Sequence, residues 1–286
     1  ARGGVAAACE RPRRRARVER RRRRASVYGC AGTSDVASAR APAAAVEEKG
    51  QSLGVTAQVS PPETREEFEQ RKENGDLRLA LVGMSNCGKT FRSYQMVLNF
   101  GFGKLSIDQE IEVSLAKVLR DAGLEPGIQG LADWMGNPHE ETFAEREAKY
   151  LELEARETKL CVAGFLPTIN WVLDTTGSVV YLDKEITDEM RRNFLVVHLR
   201  ADDDMLEELT QSYFDNPKPV VWGNSYAPKE GENSEAALRR CYPHLLAERR
   251  QKYSDLSHVE ISARDSLSND VDGRAFLDKI RDLLPQ

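Results

Sequence analysis

Short apolar segments alternate with longer segments of helical periodicity along most of this chain. Short apolar runs predict buried strands, because both faces of a parallel sheet are covered and its strands lose polar alternation. Such runs occur at residues 77–82, 104–107, 160–174, 194–199 and 258–261. The segments between them carry apolar residues at helical spacing. Strands that alternate with helices predict a three-layer α/β fold with a mostly parallel sheet.

The clearest motif follows the first apolar run. Residues 83–90 read Gly-Met-Ser-Asn-Cys-Gly-Lys-Thr and match the Walker A pattern G-x-x-x-x-G-K-[ST]. A predicted strand precedes the motif and a predicted helix follows it, as a P-loop requires. Glycines let consecutive N–H groups converge on phosphate oxygens at the positive end of that helix. The motif therefore predicts nucleotide binding by Gly83, Ser85, Asn86, Cys87, Gly88, Lys89 and Thr90.

Two side chains of the motif carry the predicted chemistry. Lys89 is expected to reach the β- and γ-phosphates, and the Thr90 hydroxyl is expected to bind Mg²⁺. Cys87 is interpreted as a small packing residue, with a low-pKa thiol at the helix start as the alternative hypothesis. ATP, or a related nucleotide, and Mg²⁺ are the expected cofactors.

Two acidic residues stand where predicted strands end, which is the edge at which α/β sheets bind ligands. Asp108 follows the second apolar run and predicts either a site carboxylate or the N-cap of the helix that begins at Gln109. Asp174 ends the third run and has the pattern of a Walker B carboxylate, which holds Mg²⁺ directly or through water. A turn-forming aspartate is the alternative for Asp174.

Composition places the chain among ordinary globular proteins. Of its 286 residues, 40% are hydrophobic and 30% are charged. No run approaches the roughly 18 apolar residues that a membrane-spanning helix requires. The 5 cysteines are scattered and form no C-x-x-C pair. This spacing argues against a disulfide framework or a zinc site and favours a reducing compartment.

Charge divides the chain into two unequal parts. Residues 1–60 hold 13 Lys+Arg and 5 Asp+Glu, a net charge of +8, whereas the other 28 basic and 41 acidic residues give −13. We interpret residues 1–62 as a disordered Arg/Ala-rich leader and residues 63–286 as the folded domain. The leader has the composition of an organelle transit peptide, which predicts a plastid or another organelle, and otherwise the cytoplasm. A gene-model artefact and a basic arm for nucleic acid are the alternatives, and the scarcity of aromatic residues disfavours the arm.

The order of these segments resembles the shikimate kinases, a family of P-loop small-molecule kinases, over roughly residues 77–284. Beyond the P-loop, Asp108-Gln-Glu-Ile-Glu112 is similar to the D-x-x-I-E sequence of that family's substrate-binding region. The segment 245–253 is similar to its L-x-x-E-R-x-x-x-Y helix. The resemblance implies that Asp108 accepts a hydroxyl of the acceptor and that Arg249 pairs with its carboxylate. It also implies that Lys218 takes the place of the family's lid arginine, and that Gly177 approaches the acceptor.

The chain departs from the family pattern in the acceptor half of the site. A second carboxylate-binding arginine falls on Ala144, and the nearby Arg146 points elsewhere on a helix, about 200° around it. Three consecutive glycines become Thr176-Gly177-Ser178. An expected acid two residues before Asp108 becomes Ser106, while an acid stands at Asp174. A different acceptor from shikimate is therefore at least as well supported.

The function expected from these patterns is ATP-dependent phosphoryl transfer to a small hydroxylated metabolite. Lys89, Asp108 and Lys218 are the expected catalytic residues, and a nucleotide and a small-molecule acceptor are the expected ligands. A non-catalytic nucleotide-binding switch or scaffold is the alternative, because the acceptor half is altered. The sequence predicts no membrane partner and leaves the oligomeric state open.

Overall fold

A five-stranded parallel sheet organises the part of the chain described by the computed structural model, residues 60–164, 168–268 and 270–286. Its strand order is β2-β3-β1-β4-β5, and all four strand pairs are parallel. Every residue of β3 is buried, as are most residues of β1 and β4. Both faces of the sheet are therefore covered. The strands are β1 (Arg78–Val82), β2 (Gly103–Ser106), β3 (Trp171–Asp174), β4 (Leu195–Arg200) and β5 (Val259–Ser262).

Helices connect successive strands and supply the outer layers. The helices of the described residues are α1 (Arg65–Asn74), α2 (Lys89–Phe100), α3 (Ile107–Asp121), α4 (Ile128–Met135), α5 (Phe143–Ala163), α6 (Lys184–Asn193), α7 (Asp203–Asp215), α8 (Ser234–Leu256), α9 (Ala263–Leu267) and α10 (Gly273–Asp282). Helix α10 packs against both α1 and α2, and α3, α4, α5 and α6 form a second connected group. This architecture is the predicted three-layer α/β fold with a parallel sheet. A short 3₁₀ turn lies between β3 and α6.

One boundary predicted from apolar patterning is wrong. Residues 160–163 belong to the end of α5 rather than to a strand, because Cys161 and Val162 are buried on the inner face of that helix. Helix α8 is one 23-residue helix although Pro243 lies inside it. A proline removes one helical hydrogen bond, and here the buried side chains on both sides of it hold the helix together.

The start of the domain is tied to its C-terminal end. The Thr64 side chain caps α1, and Arg65 Nε donates to the Leu284 carbonyl at 2.9 Å. Pro62, the last residue of the predicted leader, is buried. Residues 1–59 of that leader lie outside the described part of the chain.

None of the helices in the described part of the chain combines the length and the apolar character that crossing a membrane requires.

The backbone of Gly103 in β2 lies close to the Trp171 side chain of β3. Gly103 pairs with Trp171, and a Cβ at Gly103 would lie 2.5 Å from the indole ring. We expect Gly103→Ala to lower the free energy of unfolding by about 1–3 kcal/mol, because the added methyl overpacks the sheet. Denaturant unfolding measures this loss, and a Trp171→Leu background should reduce it. An equal loss in both backgrounds would show that the ring is not its cause.

Candidate active site

The P-loop joins the carboxyl end of β1 to the first turn of α2. Gly83 has φ 146°, and a Cβ there would lie 2.8 Å from the Leu199 carbonyl oxygen of β4. Gly88 has φ 92° and directly precedes Lys89, the first residue of α2. Both glycines thus occupy positions where a side chain would clash or strain the backbone. The predicted strand, glycine loop and helix are confirmed.

Lys89 is held across this loop. Its Nζ donates hydrogen bonds to the Gly83 carbonyl at 2.8 Å and to the Met84 carbonyl at 3.0 Å. The side chain is 7% exposed, so the ammonium has little contact with bulk water. A cation held at the mouth of a glycine loop is placed to meet an anionic group.

Cys87 is a packing residue of the loop. Its side chain is buried, and burial raises the pKa of the thiol to about 11. The alternative hypothesis of a low-pKa thiol is therefore wrong. Lys89 and the hydrogen bond with the Met84 backbone both oppose the rise in this pKa, but desolvation is the larger effect.

Lys218 reaches the P-loop from the segment after α7. Its Nζ donates to Asn86 Oδ1 at 2.6 Å, and Asn86 Nδ2 donates to Ser212 Oγ at 3.3 Å. Burial lowers the pKa of Lys218, the charge of Lys89 lowers it further, and Asp108 opposes the shift. These interactions show that Lys218, Lys89 and Asp108 share one electrostatic environment. Lys89 and Lys218 nevertheless lie 129 residues apart in the sequence.

Asp108 occupies the first turn of α3, at the carboxyl end of β2. Helix α3 begins at Ile107 and its N-cap residue is Ser106, so the N-cap prediction for Asp108 is wrong. Burial raises the pKa of Asp108 to about 6; Lys89 and Lys218 lower it, and Asp174 and Glu112 raise it. A carboxylate with this pKa is a competent proton acceptor near neutral pH.

Asp174 lies beside the first turn of α2 at the end of β3. It is 2% exposed, and its Oδ2 contacts Ser93 Oγ at 3.4 Å and Lys104 Nζ at 3.5 Å. Its Oδ1 is buried without a hydrogen-bond partner in the described structure. Ser93 Oγ also donates to the Thr90 carbonyl at 2.9 Å, which links Asp174 to the turn that carries Thr90.

These contacts fit a Mg²⁺ site built from few protein ligands. The residues described contain no cluster of three His, Cys, Asp or Glu side chains that could hold a metal alone. The unpartnered Asp174 Oδ1 and the exposed Thr90 leave oxygen donors at the loop. Mg²⁺ commonly keeps several waters and takes one or two protein ligands together with substrate phosphates. Thr90 and Asp174 would hold such an ion with a bound nucleotide.

Arg249 and Gly177 meet on the acceptor side of the P-loop. A Cβ at Gly177 would lie 3.5 Å from Arg249 Nη1 and 3.5 Å from Ser85 Oγ, which is ordinary contact distance. Arg249 is 5% exposed, packs over the Tyr181 ring and donates from Nη2 to the Val221 carbonyl at 2.5 Å. Its Nε has no hydrogen-bond partner among the described residues. Arg249 is therefore a buried arginine and not a solvated helix residue.

A buried carboxylate that sequence reasoning missed stands behind the Gly177 turn. Glu154 of α5 is fully buried and accepts hydrogen bonds from the hydroxyls of Thr176 and Ser178. Burial raises the pKa of Glu154 to about 7, the two hydroxyls lower it, and Asp108 raises it. The side chains that replace the family's glycines thus bind an acid from another element. Only its position on the apolar face of α5 could have drawn attention to Glu154.

The other departures also have structural partners. Arg146 donates to the Trp134 carbonyl and lies over its ring, so it is committed to α4. Glu147 Oε1 accepts the backbone N–H groups of Trp222 and Gly223. Trp222 is 1% exposed, so its side chain belongs to the core.

Residues 216–223, called the strap below, line one side of an open cleft. The P-loop, the end of α7 and α8 form its other walls. Apolar and aromatic side chains line it together with two cations, Lys218 and Arg249. The lining is completed by Met84, Ser85, Asn86, Leu209, Ser212, Tyr213, Asn216, Val220, Tyr242 and Leu246.

No protein-family model matches the chain, and no curated protein matches it. Solved structures with a similar fold are P-loop kinases. Shikimate kinase from Acinetobacter baumannii in complex with shikimate has 17% identity and a TM-score of 0.46, over 74% of this chain and 94% of that chain. Shikimate kinase from Bacteroides thetaiotaomicron has 16% identity and a TM-score of 0.46, over 72% and 97%. Deoxyadenosine kinase from M. mycoides with bound dCTP has 12% identity and a TM-score of 0.35, over 72% and 100%.

These distant similarities describe the fold and carry no information on the substrate. The domain has a P-loop α/β fold, as its parallel sheet and the glycine loop after β1 show.

Glu154 makes a specific pH dependence of stability testable. Its folded-state pKa of about 7 exceeds the ordinary 4.5, so the unfolded chain releases this proton first. Stability of the wild-type protein therefore falls as the pH rises from about 4.5 to 7. We expect Glu154→Gln, which cannot ionise, to be more stable than wild type by about 1–3 kcal/mol at pH 8, and about equal to it below pH 4.5.

Denaturant unfolding between pH 4 and pH 8 measures this difference. Glu152→Gln on the exposed face of the same helix is the matched control and should show no such gain at pH 8. A Glu154→Gln variant that is less stable than wild type at pH 8 contradicts the assignment.

Proposed function

We propose that this protein is an ATP-dependent kinase that phosphorylates a hydroxyl group of a small metabolite. The observation that carries the proposal is the convergence of Lys89, Lys218 and Asp108 at the mouth of a P-loop. The two cations contact phosphate oxygens, and the carboxylate with a raised pKa accepts the proton of a hydroxyl. A phosphate site with no acceptor function would not need this third group.

The proposed mechanism rests on positioning and charge neutralisation. Backbone N–H groups of the P-loop bind the phosphates, and Lys89 leaves its loop carbonyls to contact the β- and γ-phosphates. Asp108 orients the acceptor hydroxyl and takes its proton as the hydroxyl oxygen bonds to the γ-phosphorus, while the bond between that phosphorus and the β–γ bridging oxygen breaks and ADP leaves. Lys218 offsets the charge that develops on the transferring group. Thr90 and Asp174 would hold Mg²⁺, which would supply Lewis-acid stabilisation of the phosphate oxygens.

Arg249 and Gly177 are proposed to bind the acceptor. The Gly177 backbone lies beside Ser85 and Arg249, with no side chain of its own between them, and Arg249 Nε retains an unused donor. One guanidinium suits an acceptor with a single anionic or strongly polar group. The acceptor is proposed as a small hydroxylated metabolite and not specifically as shikimate, since Ala144 supplies no second arginine.

A nucleotide-binding switch is the second candidate function. The hydrogen bonds that Glu154 makes with Thr176 and Ser178 favour it, because they commit side chains of the acceptor half to one another. Such a protein would bind ATP without rapid transfer and signal through its conformation.

ATP consumption by the full chain distinguishes the two functions. The assay contains Mg²⁺ and a panel of hydroxylated acids and sugars that includes shikimate, with Lys89→Ala as the inactive control. Acceptor-dependent ATP consumption that is lost in Lys89→Ala supports the kinase. Tight nucleotide binding without turnover on any member of the panel favours the switch.

Lys218 is expected to act on the transition state. Lys218→Ala should lower the transfer rate by about 10²–10³-fold, because one donor to the transferring group is lost. Nucleotide affinity should change by less than about tenfold, as for groups whose contact is made mainly in the transition state. Lys229→Ala, an exposed lysine in the same connection, is the matched control. Unchanged single-turnover rates in Lys218→Ala would remove Lys218 from the mechanism.

Asp108 predicts the pH dependence of transfer. Its carboxylate must be deprotonated to accept the hydroxyl proton, and its pKa is raised to about 6. The rate should therefore rise as the pH increases through about 6 and level off above about 7. Asp108→Asn should lower the rate by about 10²–10⁴-fold, whereas Asp121→Asn at the exposed end of α3 should preserve both rate and profile. A wild-type profile that is flat between pH 5 and pH 8 argues against this role.

A further inference from the structure

Lys104 is a buried cation that the proposed mechanism does not use. Its side chain is 9% exposed, and its Nζ has no hydrogen-bond partner in the described residues. Nζ lies 3.5 Å from Asp174 Oδ2 and 4.2 Å from the centre of the Tyr94 ring. A buried ammonium without hydrogen bonds is costly unless nearby charge compensates it. Asp174 and the face of the Tyr94 ring are therefore its compensating partners.

The sheet explains how Lys104 reaches Asp174. In the parallel pair of β2 and β3, Lys104 pairs with Val172, and Ser106 pairs with Asp174. Lys104 and Ser106 lie two residues apart on one strand, so their side chains emerge on the same face. The long stem of the lysine then spans the two-residue step to the carboxylate. No ordering of loops is needed for this contact, because both residues belong to the sheet.

The two carboxylate oxygens of Asp174 consequently have different surroundings. Its Oδ2 faces Lys104 and Ser93, whereas Oδ1 is buried without a partner in the described structure. A divalent ion that approaches Asp174 must compete with the ammonium for the negative charge. Tyr94 holds the ammonium in place from the second turn of α2, the helix whose first turn carries Thr90.

We propose that Lys104 is a positioning residue that weakens divalent-metal binding at Asp174, and so sets how strongly a metal ion and a nucleotide bind together. This inference rests on the proposed function, because it needs a metal–nucleotide complex at the P-loop. Lys104 neutralises Asp174 when no metal is bound, which lets a buried carboxylate persist there. The metal then binds tightly only when nucleotide phosphates add their own negative charge.

The test measures metal coupling in the full chain. The probe is the non-hydrolysable analogue AMP-PNP, and the quantity is its Kd in EDTA divided by its Kd in saturating Mg²⁺. We expect Lys104→Met to raise this ratio about tenfold, the scale of effect that neighbours of metal ligands commonly have. Lys104→Arg keeps the charge and should leave the ratio near the wild-type value. Lys104→Met combined with Asp174→Asn should lose the gain.

A ratio in Lys104→Met that is unchanged or lower, in a protein with wild-type circular dichroism, overturns the inference. Lys104→Gln carries the same test if Lys104→Met does not fold, since it keeps a donor for Asp174 without the charge. Wild-type protein that binds no AMP-PNP in either buffer overturns the proposed function and the inference together. That result is distinct from normal nucleotide binding with an unchanged ratio, which overturns the inference alone.

Discussion

Four cations and three carboxylates gather at the carboxyl edge of the sheet, where burial makes an uncompensated charge costly. The parallel strands bring them together, because every strand ends at the same edge. Burial raises the pKa values of Asp108 and Glu154, and the nearby cations oppose that rise only in part. The seven residues are Lys89, Lys104, Lys218, Arg249, Asp108, Glu154 and Asp174.

The P-loop can stand within this group of charges because glycine brings it close to the neighbouring strand. Gly83 lies against the Leu199 carbonyl of β4, so any side chain at that position would push the loop away from the sheet. The same close approach fixes the position of Lys89 relative to the strap and to α3. Loop geometry and charge balance are thus two consequences of one backbone arrangement.

The turn around Gly177 shows how polar side chains are accommodated together. Thr176 and Ser178 flank Gly177, and the carboxylate of Glu154 accepts hydrogen bonds from both hydroxyls. Arg249 donates to the Val221 carbonyl of the strap, and Glu147 accepts hydrogen bonds from the N–H groups of Trp222 and Gly223. Arg249 and the strap that carries Lys218 are therefore linked by direct hydrogen bonds.

The sequence by itself determined the α/β alternation, the P-loop, the strand that ends just before Asp108 and the strand that ends at Asp174. Those features follow from local periodicity and from glycine positions, which neighbouring residues alone define. The apolar pattern assigned residues 160–163 wrongly to a strand, because a short apolar run fits a buried helix as well as a strand.

Only the tertiary structure decided the partners of the buried charges. The pairing of Glu154 with Thr176 and Ser178, and of Lys104 with Asp174, joins residues 22, 24 and 70 positions apart in the chain. No local pattern encodes such pairs, because their energy depends on burial and on charges that other elements contribute.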